Sequence, residues 1–249
     1  MGIFRGALLS LFAAALLLAG CAGGMPDVYP SPEDFEIHGI DVSKYQGDID
    51  WNAVARSGVK FAWIKATEGG DYVDEKFLEN WQAAKEAGVP RGAYHFAYWC
   101  RPAEDQAAWF IANVPDDPSA LPPVLDVEWN PASLTCPQHV PREEALATIH
   151  IILDAMQRAY GKRPILYTSI DFYHDVLEGE LTDYPMWVRS VKDYPAVKYG
   201  DLHWDFWQHT EDGQVPGIGT RVDRNAFYGS AQEWQSWLTA EATTEASGE

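Results

Sequence analysis

Asp126 and Glu128 stand two positions apart in Pro123-Val124-Leu125-Asp126-Val127-Glu128, an apolar, β-branched run of the kind that forms a buried strand. Side chains alternate across a strand, so the two carboxylates share a face with Val124, while Leu125 and Val127 take the other. Acids crowded into a partly dry site cannot all ionise cheaply, because like charges raise one another's pKa. One can then stay protonated near neutral pH and donate its proton while another carboxylate stabilises or attacks developing positive charge. That division of labour is what glycosidic cleavage requires. Strand spacing alone leaves the separation of the two carboxyls open, and with it the choice between retention and inversion. A lone inward acid is more often a cap or an ion-pair partner than a catalyst, so the argument turns on how many acids meet at one place.

Apolar or β-branched runs recur at His38–Ser43, Phe61–Thr67, Gly92–Tyr98, Pro123–Glu128, Pro164–Ser169, Pro185–Ser190, His203–Thr210 and Arg221–Tyr228, which makes eight candidate strands. Helical patterns separate the first five: Trp51–Ser57, Glu75–Ala87, Pro102–Val114 and Arg142–Tyr160. In the last of these Leu146, Ile149, Ile152, Leu153, Met156 and Tyr160 fall on one face, and Gly161 is the stop. The final three strands are joined by links of about a dozen residues rich in Gly and Pro, too short for an ordinary helical crossover. The expected fold is therefore α/β, a modified TIM-like barrel with five β/α units closed by three further strands, some of them antiparallel.

The alternation rule puts Asp41 inward with Gly39 and Ser43, Lys65 with Trp63 and Thr67, and Asp223 with Arg221 and Asn225. Asp41, Asp126, Glu128 and Asp223 then converge at the C-terminal mouth, where barrel enzymes keep their sites, with Lys65 and Arg189 as the nearby cations. No His-rich ligand set accompanies them, since His95 has outward parity and His150 lies on a helix, so no metal or other cofactor is expected. Tyr94, Phe96 and Tyr98 share inward parity, as do Tyr167, Trp187 and Phe206, and aromatic faces of this kind stack on the C–H faces of sugar rings. Gln208 has the parity of Phe206 and is placed to hydrogen-bond a hydroxyl or acetamido group, while Trp99 and Trp129, just past strand ends, are expected to shape the groove.

The 249 residues suit one large domain, with 47% hydrophobic and 22% charged residues. A formal net charge of -19 excludes a nucleic-acid partner, because phosphate binding needs Lys and Arg to displace counterions. Arg5 followed by the apolar Ala7–Ala19 and by Leu18-Ala19-Gly20-Cys21 reads as a lipoprotein signal peptide over residues 1–20, with Cys21 as the lipidated residue. The apolar run is shorter than the roughly 20 residues of a membrane span. Gly- and Pro-rich residues 21–36 read as a tether, 37–238 as the catalytic barrel, and the small, polar, acidic 239–249 as a disordered tail. Export and anchoring to the cell envelope follow, with Ala22 after Cys21 favouring an outer-membrane address in a two-membrane cell. Assigning Cys21 to lipid leaves Cys100 and Cys136, an even number in an oxidising compartment, and a bridge between them would close a loop of about 37 residues, contributing roughly 3–4 kcal/mol.

Gly39-Ile40-Asp41-Val42-Ser43-Lys44-Tyr45-Gln46-Gly47 with Ile49-Asp50-Trp51, Ile64-Lys65-Ala66-Thr67-Glu68-Gly69, Gly92-Ala93-Tyr94-His95-Phe96, Pro123 to Glu128 and Val222-Asp223-Arg224-Asn225 resemble glycoside hydrolase family 25, the Chalaropsis-type lysozymes, in consistent order from about residue 38 to 228. The resemblance implies hydrolysis of the β-1,4 bond between N-acetylmuramic acid and N-acetylglucosamine in peptidoglycan, with net retention and without metal; a monomer is the expected state. It implies Glu128 as general acid/base and Asp126 as the group that orients the acetamido substituent or assists charge development, with Asp41 and Asp223 completing the cluster. It does not choose between a covalent and an oxazolinium intermediate. The chain departs from the family pattern at Trp187-Val188-Arg189-Ser190, where small residues and an aromatic tend to follow the Trp, and in the loops carrying Cys100 and Cys136. Two other readings compete. A chitinase-like barrel of family 18 would carry a longer acidic run before the Glu, whereas Pro122-Pro123-Val124-Leu125 precede Asp126. A lipoprotein that binds peptidoglycan without cutting it would be favoured by loss of one of the four acids, and all four are present.

Overall fold

A computed structural model describes residues 29–243. Nine strands form one sheet: β1 (His38–Val42), β2 (Phe61–Glu68), β3 (Tyr72–Val73), β4 (Arg91–Phe96), β5 (Val124–Val127), β6 (Ile165–Thr168), β7 (Met186–Arg189), β8 (Phe206–Gly213) and β9 (Val222–Phe227). Eight of them close a barrel, because β1 pairs with both β2 and β9, while the two-residue β3 folds back on the end of β2. Helices α1 (Trp51–Arg56), α2 (Phe77–Glu86), α3 (Ala103–Asn113), α4 (Arg142–Tyr160) and α5 (Ile170–Phe172), the last running into a π-helical turn at Tyr173–Leu177, follow the first five barrel strands.

Local chemistry explains where these elements begin and end. The Asp50 side chain accepts from the Ala53 amide at 3.0 Å and so caps α1. Helix α4 buries Ala145, Ile149, Ile152, Leu153 and Met156 and stops at Gly161, whose φ of 66° is the left-handed geometry glycine tolerates. Each fully buried Ile, Leu or Met on that face contributes about 1.5–3 kcal/mol.

The closing strands differ from expectation in one respect. Five-residue helix α6 (Pro195–Tyr199) fits into the link after β7, so β8 lies parallel to β7 despite the short connection. Among the eight barrel strands only β9 runs antiparallel, to β8 and to β1, and it therefore brings its N-terminal residues to the mouth where the other barrel strands end. On the outer side of this hairpin Trp207 packs edge-on against Tyr194, the residue that precedes α6. Residues 29–36, expected as loose tether, pack there instead: a turn at Pro32–Asp34 is capped by Ser31, Phe35 lies edge-on to Trp204 and Trp207 at 5.7 and 6.1 Å, and Tyr29 stacks on Tyr194 at 5.0 Å. At the other end α7 (Ala231–Thr243) runs past Leu238, where the sequence pattern had placed the start of the tail. The signal peptide, Cys21, the tether up to residue 28 and tail residues 244–249 lie outside the described residues. Among the described residues no helix is long and apolar enough to cross a membrane.

Two apolar layers hold the barrel. One lies between sheet and helices; the other fills the interior with Phe61, Trp63, Val124, Ile165, Trp187, Phe206 and Phe227, closed from below by Trp234 of α7. Rings of this size leave no space at the facing inward positions. A Cβ on Gly39 would sit 2.2 Å from the Phe61 ring and one on Gly92 2.7 Å from Trp63 Nε1.

Candidate active site

Strand register assembles the mouth. Asp41 of β1 pairs with Asp223 of β9, Asn225 with Gln208, Gln208 with Arg189, Trp187 with Tyr167, Tyr167 with Asp126, and Tyr94 with Lys65. These neighbours form one ring around the barrel, and above it opens a cleft of about 280 Å³. Asp41, Asp126, Glu128, Asp223, Lys65, Tyr94, Phe96, Tyr167, Trp187 and Gln208 all line it. The volume is close to the lower end of small-ligand sites.

The lining residues are not equally free. Trp187, Tyr167 and Gln208 are only 2%, 6% and 4% exposed and make the floor. Gln208 uses both ends of its amide within the protein, accepting from the Tyr167 hydroxyl at 2.9 Å and donating to Asp41 and Asp223. The walls are more open: Tyr94 and Phe96 on one side, and Tyr45, 75% exposed, at the rim. Lys65 holds its ammonium 4.9 Å over the Phe96 ring and donates to Glu68 at 2.5 Å, and Glu68 also accepts from Tyr98 at 2.7 Å.

Burial and mutual repulsion set the protonation of the acids. Burial pushes the Asp126 carboxyl well above the usual carboxylate range, with the neighbouring Glu128 charge adding to the rise. Asp126 Oδ1 is buried without a hydrogen-bond partner in the protein. Glu128 is pushed up to about 7, chiefly by burial; the charges of Asp171 and Asp41 add to the rise, and those of Arg189 and Lys65 oppose it. Burial and the charge of Asp41 drive Asp223 up to about 9, and burial raises Asp41 as well. A cleft of this kind holds both protonated and ionised carboxyls at neutral pH.

Several lining residues escaped the alternation rule. A bulge between Lys65 and Thr67 turns Thr67 outward, where it shares a 2.7 Å hydrogen bond with buried His95, and turns Glu68 toward Lys65. His95 is held neutral, its pKa lowered to about 4 by burial. Tyr45 and Gln46 lie beyond the end of β1, where period-two reasoning has no purchase, and Glu211 lies in β8 past a register shift between Gln208 and Thr210 that breaks the alternation. Arg189 enters the cleft ion-paired to Glu211. Trp99 and Trp129 lie below the cleft wall. Trp99 stacks on Phe172 and donates to the Glu128 carbonyl at 2.9 Å, while Trp129 donates to Asp175, so both support the loop after β5 from behind. Cys100 and Cys136 are joined with Cα atoms 5.7 Å apart, tying the loop after β4 to the loop after β5.

Residues 40–218 match the sequence profile described as Glycosyl hydrolases family 25. The chain belongs to that family. As a family 25 chain it is a glycoside hydrolase, and its relatives span the matched barrel. A family 25 glycosyl hydrolase from Bacillus anthracis superimposes with a TM-score of 0.76 at 36% identity, covering 86% of this chain and 99% of that one. Lysozyme M1 of Streptomyces globisporus is 36% identical over 206 residues, 78% of this chain and 69% of its own. YegX of Escherichia coli (strain K12), itself uncharacterized, is 38% identical over 212 residues, 83% of this chain and 75% of its own.

Proposed function

We propose that this family 25 protein cleaves the β-1,4 bond between N-acetylmuramic acid and N-acetylglucosamine in peptidoglycan with net retention, Glu128 serving as general acid and then general base. The observation that carries this reading is Glu128 itself, a cleft-lining carboxyl pushed up to about 7, able to give a proton to a leaving oxygen at neutral pH and to take one back from water. Asp126 assists: its unpartnered Oδ1 is an acceptor suited to an acetamido N–H, which orients that group beside the anomeric carbon. Tyr94, Phe96 and Tyr45 offer ring faces for sugars, and Lys65 offers a donor for hydroxyls. The protein is exported and held to the cell envelope by lipid on Cys21, a reading supported by the signal-like Arg5–Cys21 segment and by the Cys100–Cys136 bridge, which suits an oxidising compartment.

The purified protein should release muropeptides ending in reducing muramic acid from peptidoglycan, read by mass spectrometry, and Glu128→Gln should lower the rate by at least about 100-fold while remaining folded. Unchanged turnover by that variant would overturn the assignment. In protein taken from its native membrane fraction, an unmodified Cys21 in the same mass analysis would defeat the anchoring proposal.

A further inference from the structure

An amide side chain can be turned either way unless a group that only donates fixes one end. The cleft floor contains such a group. The indole Nε1 of Trp187, a donor and never an acceptor, bonds Asn225 Oδ1 at 2.8 Å. Asn225 must therefore aim its amide nitrogen the other way, and Nδ2 donates to Asp41 Oδ2 at 2.8 Å. Gln208 is held less strictly, because a phenol can donate or accept: its Oε1 accepts from the Tyr167 hydroxyl at 2.9 Å, and its Nε2 donates to Asp41 Oδ2 at 3.1 Å, Asp41 Oδ1 at 3.3 Å and Asp223 Oδ2 at 3.3 Å. Both oxygens of Asp41 thus face N–H donors held in place from behind.

Asp41 and Asp223 stand directly opposite each other on β1 and β9 and share the Gln208 Nε2 donor, so mutual repulsion favours one proton between the two carboxyls. We propose that Asn225 and Gln208, oriented by Trp187 and Tyr167, are positioning residues that keep Asp41 an anion and place the shared proton on Asp223. The reaction centre then faces one permanent negative charge, suited to an oxocarbenium-like centre, beside one neutral acid. Were Asn225 free to flip, its carbonyl would face Asp41 and draw the proton there. The other titratable groups around Asp41 are Arg189 from β7, Asp126 and Glu128 at the end of β5, and the phenols of Tyr94 and Tyr167. Burial lifts both carboxyls of the pair, but the amide donors offset the rise on Asp41, while the charge of Asp41 adds to that on Asp223.

The inference rests on the glycosidase reading for its catalytic consequence but not for the proton's place. Protein labelled with carboxyl ¹³C-aspartate, followed by NMR from pH 4 to 9 and assigned with Asp41→Asn and Asp223→Asn, should show Asp41 ionised and Asp223 neutral at pH 7. Trp187→Phe removes the N–H and keeps a ring in the stack. It should raise the Asp41 midpoint by about one pH unit, move the acidic limb of the kcat profile by the same amount, and lower kcat roughly 10-fold with little change in KM. Tyr167→Phe provides the same test through Gln208 if the first variant does not fold. Asp41 neutral at pH 7 in the wild type, or carboxyl titrations unmoved in the folded variants, would overturn the inference. If the carboxyl signals behave as stated and no glycan is cleaved, the proton placement stands and the glycosidase reading falls.

Discussion

Glu128 owes its proton affinity to opposing neighbours. Burial lifts it, Asp171 and Asp41 lift it further, and Arg189 and Lys65 pull it back to about 7. Arg189 leads the opposing group. Removing its charge should let Glu128 rise. A general acid must be protonated, so a higher pKa extends activity to higher pH: Arg189→Gln should move the basic limb of the kcat/KM profile upward by about half to one pH unit. A limb that stays in place or moves down would remove Arg189 from this role.

At the scale of elements, the cleft wall depends on loops that have no ladder of their own. The Cys100–Cys136 bridge joins two of them, and Trp99 and Trp129 brace the same wall from below. Replacing both cysteines with alanine should cost roughly 3 kcal/mol by returning loop entropy to the unfolded chain, seen as a lower midpoint in thermal unfolding. Turnover at low temperature should fall less than stability does. Equal midpoints for the oxidised wild type and the double variant would show that packing of the tryptophans alone holds the wall. Residues 29–36 play a comparable part at Trp204 and Trp207, which Phe35 and Tyr194 cover together.

For the whole molecule, carboxyls with raised pKa values make stability depend on pH in a direction opposite to the usual acid denaturation. Asp223 lies near 9 in the folded protein and near 3.8 when unfolded, so its contribution is fully present below about 3.8 and is lost as pH rises toward 9. Asp117, held below its ordinary value by Lys85 and Arg91 against the opposing effect of burial, acts the other way and loses its contribution on acidification. Thermal midpoints should therefore decline from about pH 5 to pH 9, a trend the net charge of -19 reinforces through self-repulsion. Asp223→Asn, which keeps the shape and removes the charge, should melt higher than wild type at pH 8 by an amount corresponding to about 1–3 kcal/mol, with little difference at pH 4. A variant that melts lower at pH 8 would contradict this.

Much of the site was legible in the amino-acid order because strand alternation is a local rule. Val124-Leu125-Asp126-Val127-Glu128 and Val222-Asp223-Arg224-Asn225 say which side chains share a face wherever the strands end up. The span of α4 is an equally local inference. Register, closure and side-chain orientation are not local. The bulge that exchanges Thr67 for Glu68 depends on how β2 meets β4, and the parallel run of β8 depends on one short helix fitting its link. The fate of Gln208 shows the limit most clearly: its sequence position marks it as a donor to substrate, but Tyr167 and two aspartates from other strands engage both ends of its amide. Which face a residue takes is determined by its neighbours in the chain, whereas what it touches there is decided by segments far away in sequence, and only the folded barrel brings those together.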